Sequence, residues 1–340
     1  MTEVHVVVPD GIDDPARPSG GNTYDRHVSN GLGSIGWSVH EHAVHGFWSE
    51  PGAASFAALD RALQRIPDGA LVLLDGLIGS TAPGVLVPQA RRLRLVVLMH
   101  MPLEDERERE LLSAATAVIT TSAWGRRRLL ELYELAADRV HVAEPGVRAA
   151  ELATGTAAGE ALLCVAAVTP LKGQDVLLDA LATITDLSWR CDCVGSLDRD
   201  PEFAEGLRRR SLGDRVSFLG PRSGAELDRT YAAADLVVVP SRAETYGMVV
   251  TEALARGIPV VASDVGGVME ALGHGANGNR PGLLVAPGDP AALATALRQW
   301  LGDDELRDRL RRGARERREL LPEWSTTASV IAGVLAEAAG

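Results

Sequence analysis

Glu244 and Glu252 are two carboxylates with seven residues between them, set in a stretch whose other residue types suit a phosphate. The apolar run 236–239 reads as a buried strand and ends at Pro240 and Ser241. Glu244 falls in the loop after it, then come Thr245, Tyr246 and Gly247, then a helix that carries Glu252. In this reading Glu244 stands just before a helix N-terminus and Glu252 about two turns inside. The amides of Tyr246, Gly247, Met248 and Val249 would point out of the helix start, where unpaired N–H groups favour an anion. Gly247 lets a backbone approach closely. One carboxylate at the mouth and one further along can accept from two sets of hydroxyls, those of a sugar and of a ribose. A bare pair at this spacing can equally be two dipole partners on a solvated surface. The strand end before it, and Gly266–Gly267 after the next strand, favour a binding site.

Lys172 adds a cation. It stands in Thr169–Pro170–Leu171–Lys172–Gly173 after an apolar strand read over 161–168, at a strand-to-helix turn. An ammonium there can neutralise a diphosphate as it departs. A lone loop lysine is usually just solvated, but beside the helix mouth it describes a diphosphate site.

The elements that must hold these residues alternate. Strands are predicted at 4–9, 38–42, 70–75, 93–100, 117–121 and 140–144, with a Gly-rich turn at 18–22 and a helix over about 23–35 after the first. The stretch 149–159 is rich in Ala, Gly and Thr and breaks the pattern. Alternation then restarts, with strands at 161–168, 189–194, 216–219, 236–239 and 259–263 and helices at about 174–182, 201–210, 225–233 and 248–256. Residues 289–339 are helical, interrupted at Pro322. Such a chain is α/β, with two Rossmann-like, doubly wound parallel sheets expected to face one another across a cleft. The expected domains are 1–150 and 151–321. Residues 322–340 form a last helix expected to return to the first domain.

Composition removes several classes. The chain has 340 residues, 46% apolar and 24% charged, with a net charge of −12. That charge argues against a nucleic-acid partner, which needs a basic footprint. Arg91–Arg92 with Arg94, and Arg126 to Arg128, read as solvated helix faces. The cysteines are too few for a disulfide framework, and Cys191 and Cys193 alternate on one strand face as a buried thiol pair. No basic and apolar leader stands at 1–9, and no apolar run approaches about 18 residues, so a cytoplasmic protein without stable membrane insertion is expected. No Asp-x-Asp run of the kind that holds Mg²⁺ with a nucleotide sugar is read in the chain; Asp13–Asp14 and Glu104–Asp105–Glu106 are taken as solvated charges. No G-x-G-x-x-G follows the first strand, which sets a dehydrogenase aside.

The sequence resembles the retaining nucleotide-sugar glycosyltransferases of family 4, which have the GT-B fold. The motifs that carry the resemblance span most of the chain: Ser19–Gly20–Gly21, Pro145–Gly146–Val147, Pro170–Leu171–Lys172–Gly173, the stretch from Glu244 to Ala255, Gly257 to Asp264, Gly266 to Glu270, and Gly282 to Val285 before Gly288–Asp289–Pro290. The resemblance implies that Gly20 and Gly21 line the donor phosphates. It implies that His100, at a strand end before Met101–Pro102, contacts the transferred sugar, that Lys172 binds the diphosphate, and that Glu244 and Glu252 hold sugar and ribose. It implies no metal and no cofactor, a nucleotide-sugar donor with UDP favoured over GDP, and retention at the anomeric carbon. The acceptor is read as a soluble small molecule. A nucleotide-sugar binding protein without transfer, or an epimerase or phosphorylase of the same fold, are the alternatives. One position departs from the pattern: where the family usually has Arg, five before the Lys, this chain has Ala167. Arg242 and Arg17 are the nearest substitutes by motif position. His27, on the first helix, is read as a packing or surface residue.

Overall fold

The computed structural model describes residues 2–16, 18–210 and 212–340. Arg17 therefore lies outside the described residues. The elements run, in chain order, β1 (Glu3–Pro9), α1 (Gly20–Ser34), β2 (Ser38–Val44), α2 (Ala53–Gln64), β3 (Leu71–Asp75), α3 (Gly76–Thr81), α4 (Pro83–Gln89), β4 (Arg94–Met99), α5 (Glu106–Ala114), β5 (Ala117–Thr120), α6 (Ala123–Tyr133) and β6 (Val140–Val142). After residue 150 come β7 (Ala161–Val165), α7 (Gln174–Ala182), β8 (Arg190–Val194), α8 (Pro201–Arg208), β9 (Val216–Phe218), α9 (Gly224–Ala232), β10 (Leu236–Val239), α10 (Met248–Ala255), β11 (Val260–Ser263), α11 (Val268–Leu272) and β12 (Gly282–Val285). Three helices close the chain: α12 (Pro290–Gly302), α13 (Asp304–Arg318) and α14 (Trp324–Ala339).

Two compact units result, one of Met1–Asp14, Ser19–Gly146 and Pro322–Gly340, the other of Pro15–Pro18 and Val147–Leu321. Each is built on a six-stranded sheet, ordered β2-β1-β3-β4-β5-β6 in the first and β12-β11-β10-β7-β8-β9 in the second. Every strand pairing is parallel. Strands such as Leu71–Asp75 and Leu236–Val239 are buried throughout, as a sheet covered on both faces requires.

In the first unit Val7, Val72, Leu74, Leu95 and Val97 join Leu59, Leu63 and Leu111 in one apolar cluster. The last helix packs on α1 because both present small residues there. A Cβ on Gly31 would lie 2.5 Å from that of Ala328, and one on Gly146 would lie 2.3 Å from the Trp324 nitrogen. Thr327 then donates to the Glu144 carbonyl at 2.7 Å. In the second unit Leu162, Cys164, Leu181, Cys191, Cys193 and Trp300 share one core face, and all three thiols are free and buried. Among the described residues no helix is long and apolar enough to cross a membrane.

Two predicted boundaries shift, and one depth is corrected. The helix after β1 begins at Gly20, because Ser19 accepts from the Asn22 amide, so the two glycines form its first turn and not a turn before it. The strand read over 161–168 ends at Val165, and residues 170–172 form a 3₁₀ turn. The helix α10 starts at Met248, where it was predicted, and Glu252, its fifth residue, lies about one turn inside and not two.

Candidate functional site

The second unit gathers Lys172, Glu244 and the start of α10 through close approaches of backbone that glycines permit. Gly173 has φ +70°, and a Cβ there would stand 2.0 Å from the Pro240 carbonyl oxygen. The 3₁₀ turn is thereby laid against the loop that follows β10, and the Arg242 amide donates to the Leu171 carbonyl at 2.8 Å. Gly266 has φ +57°, and its Cβ would fall 1.6 Å from the Glu244 carbonyl oxygen. The Gly267 amide donates to that same oxygen at 3.3 Å. Gly266→Ala is expected to force these loops apart and lower the melting temperature by several degrees, because overlap with a carbonyl cannot relax by rotamer. An unchanged melting curve would show that the loop yields.

Within this frame the Lys172 ammonium meets Glu244 Oε1 at 2.5 Å, and the Ser241 hydroxyl donates to the same oxygen at 2.9 Å. The pair is largely sheltered, with side-chain exposures of 24% for Lys172 and 14% for Glu244. It stands beside the N-terminus of α10, which no side chain caps. Lys172 is also the only lysine in the chain, every other one of the 34 basic side chains being arginine. A sequence otherwise committed to guanidinium keeps one compact ammonium, and keeps it here.

Arg242 does not stand in for the Arg missing at Ala167 in the form seen. Its guanidinium is engaged bidentately by Asp175 at 2.8 and 2.7 Å and donates to the Pro170 carbonyl. It braces the turn that carries Lys172. Glu252 is partly buried on α10 and accepts from the Tyr231 hydroxyl at 2.9 Å. Burial raises its pKa against the opposing effects of Tyr231 and Arg256.

The first unit holds Gly20, Gly21 and His100. A Cβ on Gly21 would lie 3.1 Å from the His100 ring, so the second glycine is what lets α1 start against the imidazole. His100 follows β4 and is turned inward: Nε2 is 2.7 Å from Asp25 Oδ1 on α1 and 3.9 Å from Asp75 Oδ2 at the end of β3. Ligand-type atoms of Asp25, Asp75 and His100 lie within 4.8 Å of one another, the one such grouping among the described residues, and it is knit by hydrogen bonding. Neither aspartate was singled out in the sequence. The available signal was that Asp75 ends a fully apolar run, as His100 does in the neighbouring strand. His27 stacks on Trp324, centroids 4.2 Å apart and planes 7° apart.

An Asp-x-Asp spacing does occur, against the reading above, at Asp198–Arg199–Asp200. Asp200 is the N-cap of α8 and accepts from the Phe203 amide at 3.0 Å. Asp105 likewise caps α5, and Glu104 pairs with Arg128 at 2.7 Å, so that acidic run is structural and not merely solvated.

Comparison with known proteins places the class first. The chain superposes on a sucrose-phosphate synthase from Thermosynechococcus elongatus with a TM-score of 0.82 at 24% identity, covering 99% of each chain. It superposes on Anabaena HepE in complex with UDP-glucose at 0.77 and 20% identity, covering 99% of this chain and 100% of that one. These likenesses define a GT-B fold of two Rossmann-like domains. Residues 157–317 match the family model for glycosyl transferases group 1. The D-inositol 3-phosphate glycosyltransferase of Nocardia farcinica is 37% identical over 225 residues, 60% of this chain and 48% of that protein. The corresponding enzyme 1 of Catenulispora acidiphila is 33% identical over 270 residues, 68% of this chain and 64% of that protein. This chain is similar to the family 4 glycosyltransferases, an assignment that the family match and these relatives support. It spans from about half to just under two thirds of the length of these two curated relatives.

Proposed function

We propose that the protein transfers a sugar from a nucleoside diphosphate donor, UDP before GDP, to a small soluble hydroxylated acceptor, with retention and without a metal. The observation that carries this reading is the chain's single lysine, paired with Glu244 beside an uncapped helix N-terminus. Lys172 and the amides of Tyr246, Gly247, Met248 and Val249 meet the diphosphate charge, which grows on the leaving group as the glycosidic bond breaks. Glu244 accepts from hydroxyls of the sugar, and Glu252 from the ribose. In the first unit Gly20 and Gly21 offer amides to the phosphates, and His100 meets the sugar. The departing diphosphate takes the acceptor's proton on the same face, so no base behind the sugar is needed, and His27 stays in its stack on Trp324. The UDP and UDP-glucose bound to Anabaena HepE support a uridine donor. The names of the curated relatives put a phosphorylated cyclitol first among acceptors to try.

Glu252→Gln is expected to raise the donor KM several-fold with little change in kcat, because ribose contacts are the same in ground and transition states. The amide oxygen still accepts from Tyr231, so the fold is preserved. A fall in kcat with KM unchanged would move Glu252 to the reacting sugar. The reading as a whole is tested by incubating purified protein with α-linked UDP-sugars, an acceptor panel and a chelator. Proton NMR of the first product should show the small anomeric coupling of an α-glycoside. A β-product would overturn retention; activity that needs added metal would overturn metal independence; UDP bound without transfer would favour a binding protein.

A further inference from the structure

Two carboxylates and an imidazole are buried together in the first unit, and their hydrogen bonds do not close unless a proton is shared. Asp25 is 1% exposed and Asp75 5%. Asp25 Oδ1 accepts a hydrogen bond from His100 Nε2–H at 2.7 Å, while Oδ2 is buried with no partner among the described residues. An orphaned carboxylate oxygen in such a place has lost its water without gaining a partner, which is unfavourable. Asp75 uses Oδ1 to cap the Ile78 amide at 2.9 Å, which leaves Oδ2 directed at the cluster. If Oδ2 carries a proton, it can donate to Asp25 Oδ2, and every buried oxygen is then satisfied.

We propose that Asp25 and Asp75 are positioning residues that hold one proton between them, and so commit His100 to offering Nδ1–H to an oxygen of the donor sugar. This deepens the transferase reading and rests on it. With Nε2–H fixed on Asp25, a neutral ring offers only an acceptor at Nδ1, whereas an imidazolium offers a donor. Among the described residues Nδ1 has no hydrogen-bond partner.

Titration agrees with the geometry. Burial, and next the charge of Asp25, push the Asp75 carboxyl up to about 7. Burial pulls His100 down, but Asp25 outweighs it and the net shift is upward. The groups that face the imidazole are few. From α1 come Asp25 and the edge of Tyr24, whose hydroxyl donates to the Ala143 carbonyl; from the end of β3 comes Asp75. From α14 the nearest ring is Trp324, which meets Tyr24. Both shifted groups are raised, so the folded state holds more protons than the unfolded one. Their contribution is full below about pH 4 and is lost as pH rises through about 7.

The test is ¹⁵N NMR of the histidine rings, with His100 assigned by loss of its signal in His100→Gln. At neutral pH the free wild type should show His100 as imidazolium. Asp25→Asn should make it neutral and lower kcat about tenfold or more with UDP affinity retained. Asp75→Asn supplies an amide donor where the shared proton was, so it should keep the ring cationic, remove the titration step near 7, and flatten the loss of thermal stability with rising pH. A neutral His100 in the wild type, or a ring unaffected by Asp25→Asn, would overturn the proposal. So would perturbation of the ring by Mg²⁺ or Zn²⁺ alone, which would make the cluster a metal seat. The NMR arm needs no turnover, so a protein inactive on every donor defeats the transferase reading and leaves the proton network still tested.

Discussion

Lys172→Ala is expected to lower sugar transfer about 100-fold or more, the range found when one preorganised donor to a developing oxyanion is removed. UDP binding should weaken several-fold as well, since the ammonium meets ground-state charge too. The loss should be large because little else replaces it. The family's usual partner cation is Ala167 here, and Arg242 is held by Asp175 and the Pro170 carbonyl. Lys172→Arg should recover little. A guanidinium is planar and longer, and the seat between Ser241 and Glu244 is built around a compact ammonium. Activity of the alanine variant within a few-fold of wild type would mean that the diphosphate is neutralised elsewhere.

Glu244→Gln should cost nearly as much, but in a different constant. Oε1 of Glu244 holds Lys172 and Ser241, and an amide oxygen can keep both contacts. What the amide cannot do is accept at its second atom, where it now donates. Sugar hydroxyls that position the reacting carbon therefore lose their acceptor, and kcat should fall about 10–100-fold while UDP itself binds as before. Loss of UDP affinity with kcat preserved would show that Glu244 and Glu252 have been given each other's roles.

The parts of this account that were legible in sequence are those written locally. Strand, tight turn and helix N-terminus follow one another within about fifteen residues around Glu244, and glycine at 247, 266 and 267 marks where chain must pass close to chain. The start of α1 was misplaced because two glycines read as a turn, whereas the Ser19 cap draws them into the first helical turn. Asp198–Arg199–Asp200 has the Asp-x-Asp spacing, but its second aspartate is a helix cap. What stayed hidden is assembled across the sheet. Asp25, Asp75 and His100 come from α1, β3 and β4, and only the parallel register that sets Asp75 beside Leu98 brings two strand ends to one buried spot. No spacing within a single element announces that. The bracing of the Lys172 turn by Arg242 and Asp175, about seventy residues apart, is hidden in the same way.

The single lysine allows the central claim to be read at one atom. Protein grown on lysine labelled with ¹³C at Cε carries one labelled side chain. Titration with UDP in the presence of a chelator should move that one resonance and saturate at micromolar to millimolar ligand. Calorimetry on the same sample should give the same affinity. UDP binding that leaves the Lys172 resonance in place, or no binding without added metal, would contradict a diphosphate site at Lys172, Glu244 and the start of α10.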